Sequence, residues 1–273
     1  MANTMRVVIF GDIVGTPGRV VFQKYAQHFR NNYNPDMLIV NGENSSSTGR
    51  GITPRIMRFL KHNGASVVTS GNHIFAKKEI YEYLDSHDDL LRPLNFPNEC
   101  PGKGVTIVDV GGIPVGVINV QGRIYMREMV SCPFKAVSSA LTYLRSKTNI
   151  IIMDHHTETT SEASVLGYHF DGSVSICYGT HTHIQTADAR ILPNGTGYIT
   201  DAGMAGSLNS ILGMERSGII YGMQTQMPVK FKVETEPPYV VSGIIADIDT
   251  DNGTCAWIEP FRIVDHELSL DGQ

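Results

Sequence analysis

The sequence is poor in the features that mark secreted, membrane-bound and nucleic-acid-binding proteins. Its four cysteines are far apart and form no C-x-x-C pair, which argues against a disulfide framework and against a structural zinc site. Charged residues make up only 18% of the chain, the formal net charge is -5 and no basic stripe is present, so we expect no stable nucleic-acid binding. The apolar run within Met1 to Phe10 is too short for a signal or membrane segment. Together these absences predict a cytoplasmic protein with no membrane partner.

What the chain does contain is an alternation of apolar strands and amphipathic helices. Hydrophobic residues make up 41% of its 273 residues, enough to bury a core. In the first half we predict strands and helices in turn, with Thr53 capping the second helix and Pro54 at its first position. The predicted order is strand Arg6–Phe10, helix Arg19–Asn31, strand Met37–Val40, helix from Pro54 to Gly64, and strand Ser66–Thr69. Strand, crossover helix and parallel strand is typical of an α/β sheet.

The second half carries more strands. We predict a β-hairpin that turns at Gly111-Gly112, then a helix over Phe134–Lys147 and a buried strand over Ile150–Met153. Further predicted strands lie near Val174–Tyr178, Ala189–Leu192 and Tyr198–Asp201, and a β-meander follows over Val229–Val233, Val240–Ile248 and Thr254–Ile263. With no repeat and no Pro/Gly/Ser-rich linker, residues 1–273 are expected to form one domain with two stacked sheets.

Five polar clusters each follow an apolar strand. They are Gly11-Asp12, Gly42-Glu43-Asn44, Gly71-Asn72-His73, Asp154-His155-His156 and Gly179-Thr180-His181-Thr182-His183. In α/β sheets ligands bind beyond the carboxyl ends of the strands, so these loops should converge. Taken singly, Asp12 is more typical of a turn or a helix cap, and Asn72 is equally typical of a turn. As an ordered set, the Asp, Glu, Asn and His side chains are the oxygen and imidazole donors of a Mn, Fe or Zn site.

Two metal ions would give such a site a specific chemistry. Cations about 3.5–4 Å apart can share a hydroxide, bind phosphoryl oxygens and offset the charge that develops in a transition state. A carboxylate with two oxygens can bridge them, and Glu43 is the best candidate because it lies in the middle of the series. His181 and His183 would point the same way if their segment were extended, as alternate residues of a strand do.

The order of these motifs resembles the calcineurin-like metallophosphoesterase superfamily, and in particular its YmdB-like bacterial phosphodiesterase branch. The similarity extends over nearly the whole chain. Its most specific stretches are Gly11–Gly15, Asn41–Asn44, Gly71–His73, Lys77–Glu79, Leu91–Pro93, Asn119–Arg123, Gly179–Asp188 and Ile191–Pro193. The resemblance implies an α/β fold with two stacked mixed β-sheets flanked by helices, a four-layer αββα sandwich.

The resemblance also implies the site and the reaction. It assigns Asp12, Glu43, Asn44 and His183 to one metal ion, with Glu43 bridging to a second ion held by Asn72, His156 and His181. The ions would be iron, with manganese or zinc as alternatives, and His73 would be the catalytic residue beside them. Members hydrolyse phosphodiesters of cyclic nucleotides, 2′,3′-cyclic and possibly 3′,5′-cyclic, by attack of a metal-bridging hydroxide. The resemblance also allows a homo-oligomer.

Three departures from the superfamily pattern affect individual positions. Val14 stands where the wider superfamily has a histidine. The resemblance implies that the YmdB-like branch shares this difference and uses Asn44 as a ligand instead. Ala76 replaces an aspartate that would support His73. The pair His155-His156 leaves a question of register, which the flanking acidic residues and strand alternation decide in favour of His156 as the ligand.

Several alternatives stay open from the sequence. Arg123 could orient a phosphate or fix its loop, while Glu158 and Glu162 are interpreted as helix N-terminal carboxylates rather than partners of the site. The remaining histidines are expected at the surface or in packing: His28, His62, His87, His169 and His266. The rival functions are a phosphomonoesterase that uses the same centre, and a metal-binding regulatory protein with little turnover.

Overall fold

The computed structural model describes residues 3–270, which form twelve strands and six α-helices. The strands are β1 (Thr4–Ile13), β2 (Met37–Asn41), β3 (Val67–Thr69), β4 (Val105–Val110), β5 (Ile113–Gln121), β6 (Ile150–His156), β7 (Ile176–Thr180), β8 (Arg190–Ile191), β9 (Gly197–Ile199), β10 (Met204–Ser207), β11 (Tyr239–Asp249) and β12 (Cys255–Asp265). The helices are α1 (Gly15–Tyr33), α2 (Pro54–His62), α3 (Tyr81–Ser86), α4 (Pro133–Leu144), α5 (Thr160–His169) and α6 (Arg216–Thr225).

The strands form two six-stranded mixed sheets. The first has the order β12-β11-β10-β1-β2-β3, with β11 also pairing β1, and the second has the order β4-β5-β6-β7-β9-β8. β1, β2 and β3 run parallel to one another, as do β5, β6, β7 and β9. Because the carboxyl ends of parallel strands lie at one edge of a sheet, the loops that follow them open on the same side of the molecule.

Alternation along the strands builds three apolar layers. In β1, Val7 and Ile9 belong to the core between the sheets, whereas Val8 and Phe10 pack with the helical layer that contains α1. In β6, Ile152 faces the core between the sheets and Met153 the outer layer that contains α4 and α5. Burying each such side chain contributes roughly 1.5–3 kcal/mol. The predicted arrangement of two stacked mixed sheets flanked by helices is therefore confirmed.

Local signals set several element boundaries. Thr53 Oγ1 accepts the N–H of Ile56 and Pro54 occupies the first position of α2, as predicted. Gly111 and Gly112 make the turn between β4 and β5 with φ of 62° and 90°, a backbone that residues with a Cβ rarely adopt. α1 is longer than predicted, because it begins at Gly15.

The predicted β-meander is wrong in its first strand. Residues 229–232 form no strand, and Val233 makes only an isolated bridge to Met214. The segment alternates Val, Lys and Phe, but both edges of β11 are already taken, by β12 on one side and by β1 and β10 on the other. β10, which lies beside β1, was not predicted. Within residues 3–270 no helix combines the length and the apolar character needed to cross a membrane.

Candidate metal centre

The loops after five parallel strands bring all eight predicted site residues into one connected group. Asp12 is the penultimate residue of β1, Glu43 and Asn44 follow β2, Asn72 and His73 follow β3, His156 ends β6, and His181 and His183 follow β7. Direct contacts between side chains or backbone link every member to at least one other: Asp12, Glu43, Asn44, Asn72, His73, His156, His181 and His183.

Glu43, Asn72 and His156 form one half of the group. Glu43 Oε1 lies 3.3 Å from His156 Nε2, and Asn72 Oδ1 lies 3.1 Å from the same nitrogen. One possible ligand atom from each of Glu43, His156 and His181 lies within 4.8 Å of the others. A Cβ on Gly71 would come within 2.1 Å of His156 Nε2, so only glycine permits this approach.

Asp12, Asn44 and His183 form the other half. His183 Nε2 lies 3.0 Å from Asn44 Nδ2 and 3.8 Å from Asp12 Oδ1. Asn44 Nδ2 also lies 3.4 Å from Glu43 Oε1, which places Glu43 between the two halves. Among the described residues Asp12 Oδ1 is buried with no hydrogen-bond partner, and burial raises the pKa of Asp12 well above its usual value. This carboxylate is therefore in a place where a cation would stabilise its charged form.

His156 is aimed by the strand and by a chain of hydrogen bonds beneath it. Thr180 Oγ1 donates to Asp154 Oδ1 at 2.8 Å and lies 3.0 Å from His156 Nδ1. Since the hydroxyl proton goes to Asp154, His156 Nδ1–H donates to Thr180, and Nε2 is left to face Glu43 and Asn72. Histidine ligands in metal sites are commonly oriented in this way. Sequence reasoning missed Thr180, although its position between Gly179 and His181 was a signal.

His155 points to the opposite face of β6. Its ring stacks 6.2 Å from that of Tyr198, and its Nδ1 lies 3.2 Å from Thr157 Oγ1. Burial lowers the pKa of His155 to about 3, so the side chain is neutral. Strand alternation thus places His156, and not His155, in the group, as the sequence predicted.

His181 and His183 reach the group by a different route from the one predicted. β7 ends at Thr180, and the two histidines lie in a loop with left-handed backbone, φ of 103° and 63°. Non-glycine residues are strained in this conformation, and such strain tends to occur at functional sites. The expectation of an extended segment is therefore wrong, although both side chains do reach the group.

Two hydrogen-bonded anchors hold this loop. Buried Asp201 accepts the N–H and the hydroxyl of Thr182 at 3.0 and 2.9 Å. His183 Nδ1 lies 3.0 Å from the carbonyl of Leu212, so it donates there and leaves Nε2 with a lone pair. Burial lowers the pKa of His183 to about 4, and burial with the charge of His156 lowers that of His181 to about 3. Both rings are neutral, the form that binds a metal.

Glu158 lies against His181, which corrects its interpretation as a helix N-terminal carboxylate. It precedes the cap of α5, and its Oε2 lies 2.8 Å from His181 Nε2. A carboxylate that accepts one ring N–H fixes the tautomer and leaves the other nitrogen as the ligand. Glu162, in contrast, is in the first turn of α5, as interpreted, and its carboxylate accepts the backbone N–H groups of Arg123 and Ile124.

His73 lies at the mouth of the group. Its Nδ1 is 2.9 Å from Asn44 Oδ1 and 3.3 Å from Glu43 Oε1, and its backbone N–H donates to Glu43 Oε2 at 2.8 Å. The side chain is 26% exposed, so Nε2 is the nitrogen left to meet a substrate. Asn44 thus supplies the support that Ala76 cannot give. The side chain of Arg123 is exposed, and its loop is held by Glu162.

The five remaining histidines lie on the surface, which confirms their expected place. Exposed side chains in helices or near helix and strand ends are found at His28, His62, His87, His169 and His266.

The sequence also matches a known protein family. The family model for YmdB-like proteins matches residues 8–261, which is most of the chain. The chain belongs to this family.

Individual relatives agree with the family. A 2′,3′-cyclic-nucleotide 2′-phosphodiesterase of Bacillus subtilis is 42% identical over 267 residues, which cover 98% of this chain and 100% of that protein. The crystal structure of a novel phosphatase from Mycoplasma pneumoniae is 30% identical, with a TM-score of 0.91 and coverage of 98% and 96% of the two chains. A hypothetical protein from Thermus thermophilus is 33% identical, with a TM-score of 0.88 and coverage of 96% and 100%.

Metallophosphoesterase folds of this kind imply divalent metal ions, and the residues present fit them. The donors are carboxylate and amide oxygens with imidazoles, and no thiolate lies among them. His181 and His183 are neutral, whereas the charge of Glu43 outweighs burial and raises the pKa of His156 to about 9, so this ring would release its proton on binding a metal. Burial opposes ionisation of Glu43, yet the charge of His156 and hydrogen bonds from His156 and His73 lower its pKa well below its usual value. The charged form of the bridging candidate is therefore favoured, and a bound cation would favour the charged form of Asp12 as well, which would give the group two anionic ligands.

Proposed function

We propose that this protein is a metal-dependent phosphodiesterase that hydrolyses 2′,3′-cyclic nucleotides. The observation that carries the proposal is the convergence of Asn72 Oδ1 and Glu43 Oε1 on His156 Nε2 within 3.3 Å. An amide oxygen, a carboxylate and an imidazole are together a donor set that suits a metal ion, which would take the place of the proton on His156 Nε2. The name of the Bacillus subtilis relative supports the substrate.

We assign the ligands in two groups that share Glu43. Asp12, Asn44 and His183 would hold one ion, and Asn72, His156 and His181 the other. Iron is the proposed metal, with manganese and zinc as alternatives, because imidazole and carboxylate donors suit all three. When bound, the pair would supply a nucleophile at neutral pH and offset charge on the phosphoryl oxygens.

The protein's own groups then carry out the remaining steps. Water adds to phosphorus, the bond to the 2′ oxygen breaks, and the product is a 3′-monophosphate. His73 Nε2, which faces the mouth, protonates the departing 2′ oxygen, while Asn44 and Glu43 hold the ring through Nδ1. The buried ligands below keep solvent away from the reacting atoms, which strengthens each charge interaction.

Metal analysis paired with a substrate panel tests this function. We expect about two metal ions per chain and turnover of 2′,3′-cyclic AMP that stops on chelation and returns with iron or manganese. Protein that contains no metal and shows no turnover after reconstitution would overturn the proposal.

A phosphomonoesterase that uses the same centre is the second candidate, because the Mycoplasma pneumoniae structure is described as a phosphatase. The same panel separates the two functions. Faster hydrolysis of 3′-AMP or 5′-AMP than of any cyclic nucleotide would favour the phosphomonoesterase.

A further inference from the structure

A basic cleft lies beside the candidate metal centre. Its volume is about 560 Å³, and its walls carry three basic side chains, Arg19, Arg55 and Lys77, hydroxyls such as those of Ser46 and Thr53, and one carboxylate, Glu79.

The basic cleft lies close along the chain to residues of the centre. Ser46 is two residues after Asn44, and Lys77 is four residues after His73. The N–H of Gly15, at the start of α1, donates to the carbonyl of Asn44 at 2.9 Å. The cleft and the centre are therefore built in part on the same two loops, those after β2 and β3.

The positive charges in the cleft have no acidic partner within residues 3–270. No carboxylate in that part of the chain lies within 4.0 Å of the charged groups of Arg19, Arg55 or Lys77. The guanidinium of Arg19 donates to Ser45 O and Thr16 Oγ1, both uncharged. Burial and then the charge of Arg55 lower the pKa of Arg19, because a neighbouring positive charge disfavours a second one. Glu79 lines the cleft but forms an ion pair with none of these cations, so the walls carry an excess of positive charge that attracts an anion.

The backbone adds to this potential. Thr16 and Arg19 lie in the first turns of α1, which has 19 residues. Thr53 caps α2, which has 9 residues, and Arg55 is the second residue of that helix. The amino-terminal end of each helix carries a partial positive charge. Hydroxyls and guanidiniums are the groups that hold phosphate in proteins, so the chemistry of the walls matches a phosphoryl group better than an apolar ligand.

We propose that the basic cleft binds a phosphoryl group other than the one that reacts at the centre. The proposal deepens the proposed function, on which its substrate arm rests. A mononucleotide 2′,3′-cyclic phosphate has no second phosphate, whereas a short oligonucleotide that ends in one has a phosphodiester one nucleotide away. The phosphoryl group therefore comes either from such a substrate or from free inorganic phosphate.

Direct binding tests the site without reference to turnover. Inorganic phosphate, which the metal ions would also bind, is titrated calorimetrically into metal-loaded wild-type protein, Arg55→Gln and the control Arg58→Gln. The isotherms are fitted with one site at the centre and one in the basic cleft, whose affinity is compared. Arg58 is exposed on the same helix and does not line the cleft, so the control retains wild-type affinity. Loss of one charge-assisted contact should weaken binding on the order of tenfold in Arg55→Gln. Equal affinity for wild type and Arg55→Gln, with unchanged melting temperatures, would overturn the proposal even if the enzyme is active.

Kinetics then identify the source of the phosphoryl group. kcat/KM is measured for 2′,3′-cyclic AMP and for a dinucleotide that ends in a 2′,3′-cyclic phosphate. If the substrate supplies the group, Arg55→Gln loses about tenfold more kcat/KM on the dinucleotide than on the mononucleotide. If free phosphate supplies it, the two losses are equal, and inhibition by inorganic phosphate weakens in the variant.

Discussion

Two regions of the candidate metal centre hold the same kind of ligand by different means. His156 stands on β6, where strand alternation aims it and Thr180 and Asp154 fix its tautomer from below. His181 and His183 stand on a loop whose backbone is left-handed at both positions and is tied down by Asp201. The first region is rigid because of its secondary structure, whereas the second depends on a few side-chain and carbonyl contacts.

A ligand can therefore be positioned by the regular geometry of a strand, or by contacts that hold a loop in a strained conformation at a cost in free energy. A left-handed non-glycine residue costs of order 1–3 kcal/mol, which the surrounding contacts must offset. Removal of one contact should therefore lower metal affinity more in the loop than in the strand-held region. Substitutions that affect both regions, neither region or one region at a time test this difference.

Glu43→Gln should have the largest effect, because Glu43 contacts His156 and lies within 4.8 Å of His181, so it is close to both regions. Loss of the carboxylate between them should lower metal content from about two ions per chain to less than one and reduce kcat at least about 10³-fold. Metal analysis by mass spectrometry and a 2′,3′-cyclic AMP assay measure both effects. Glu259→Gln, exposed on β12, is the matched control. Full metal content in Glu43→Gln would remove the bridging assignment.

His73→Ala should separate chemistry from metal binding. The side chain lies at the mouth and contacts the ligands only through Nδ1, so both ions should stay bound. Loss of a proton donor should lower kcat about 10²–10⁴-fold with a small change in KM. Wild-type turnover in this variant would contradict the role of His73.

Much of the strand-held region could be predicted from the sequence. The apolar runs placed β1, β2, β3, β6 and β7 within a few residues, and polar residues at their ends identified the ligand candidates. The choice between His155 and His156 followed from alternation and the flanking acidic residues, since neighbouring residues of a strand face opposite sides.

The loop-held region could not be predicted in the same way. Its conformation depends on Asp201, nineteen residues after Thr182, and on the carbonyl of Leu212, which no local pattern reveals. The expectation of an extended His181–His183 segment failed for that reason. The strand predicted over residues 229–233 failed through a similarly distant cause, because β10 and β12 already occupy the edges of β11.

Thr180→Val and Asp201→Asn compare the two regions directly. Each removes hydrogen bonds that support ligands but leaves the ligand residues themselves unchanged, and such changes typically cost 10–100-fold in metal affinity. We expect the loss of metal affinity to be near the upper end of this range in Asp201→Asn and near the lower end in Thr180→Val. The smaller loss is expected because β6 holds His156 even without Thr180. Competition with a chromophoric chelator gives both affinities. A larger loss in Thr180→Val would reverse the comparison.

His155→Gln should have the smallest effect on the centre, which makes it the sharpest test of the strand-held region. The side chain is buried on the far face of β6, and its Nε2 has no hydrogen-bond partner among the described residues. Loss of the stacking on Tyr198 should lower the free energy of unfolding by about 1 kcal/mol. Metal content should nevertheless stay at the wild-type value, while His156→Gln loses metal. If the two variants exchanged these outcomes, β6 would present its other face to the metals, and the strand would no longer explain how its ligand is aimed.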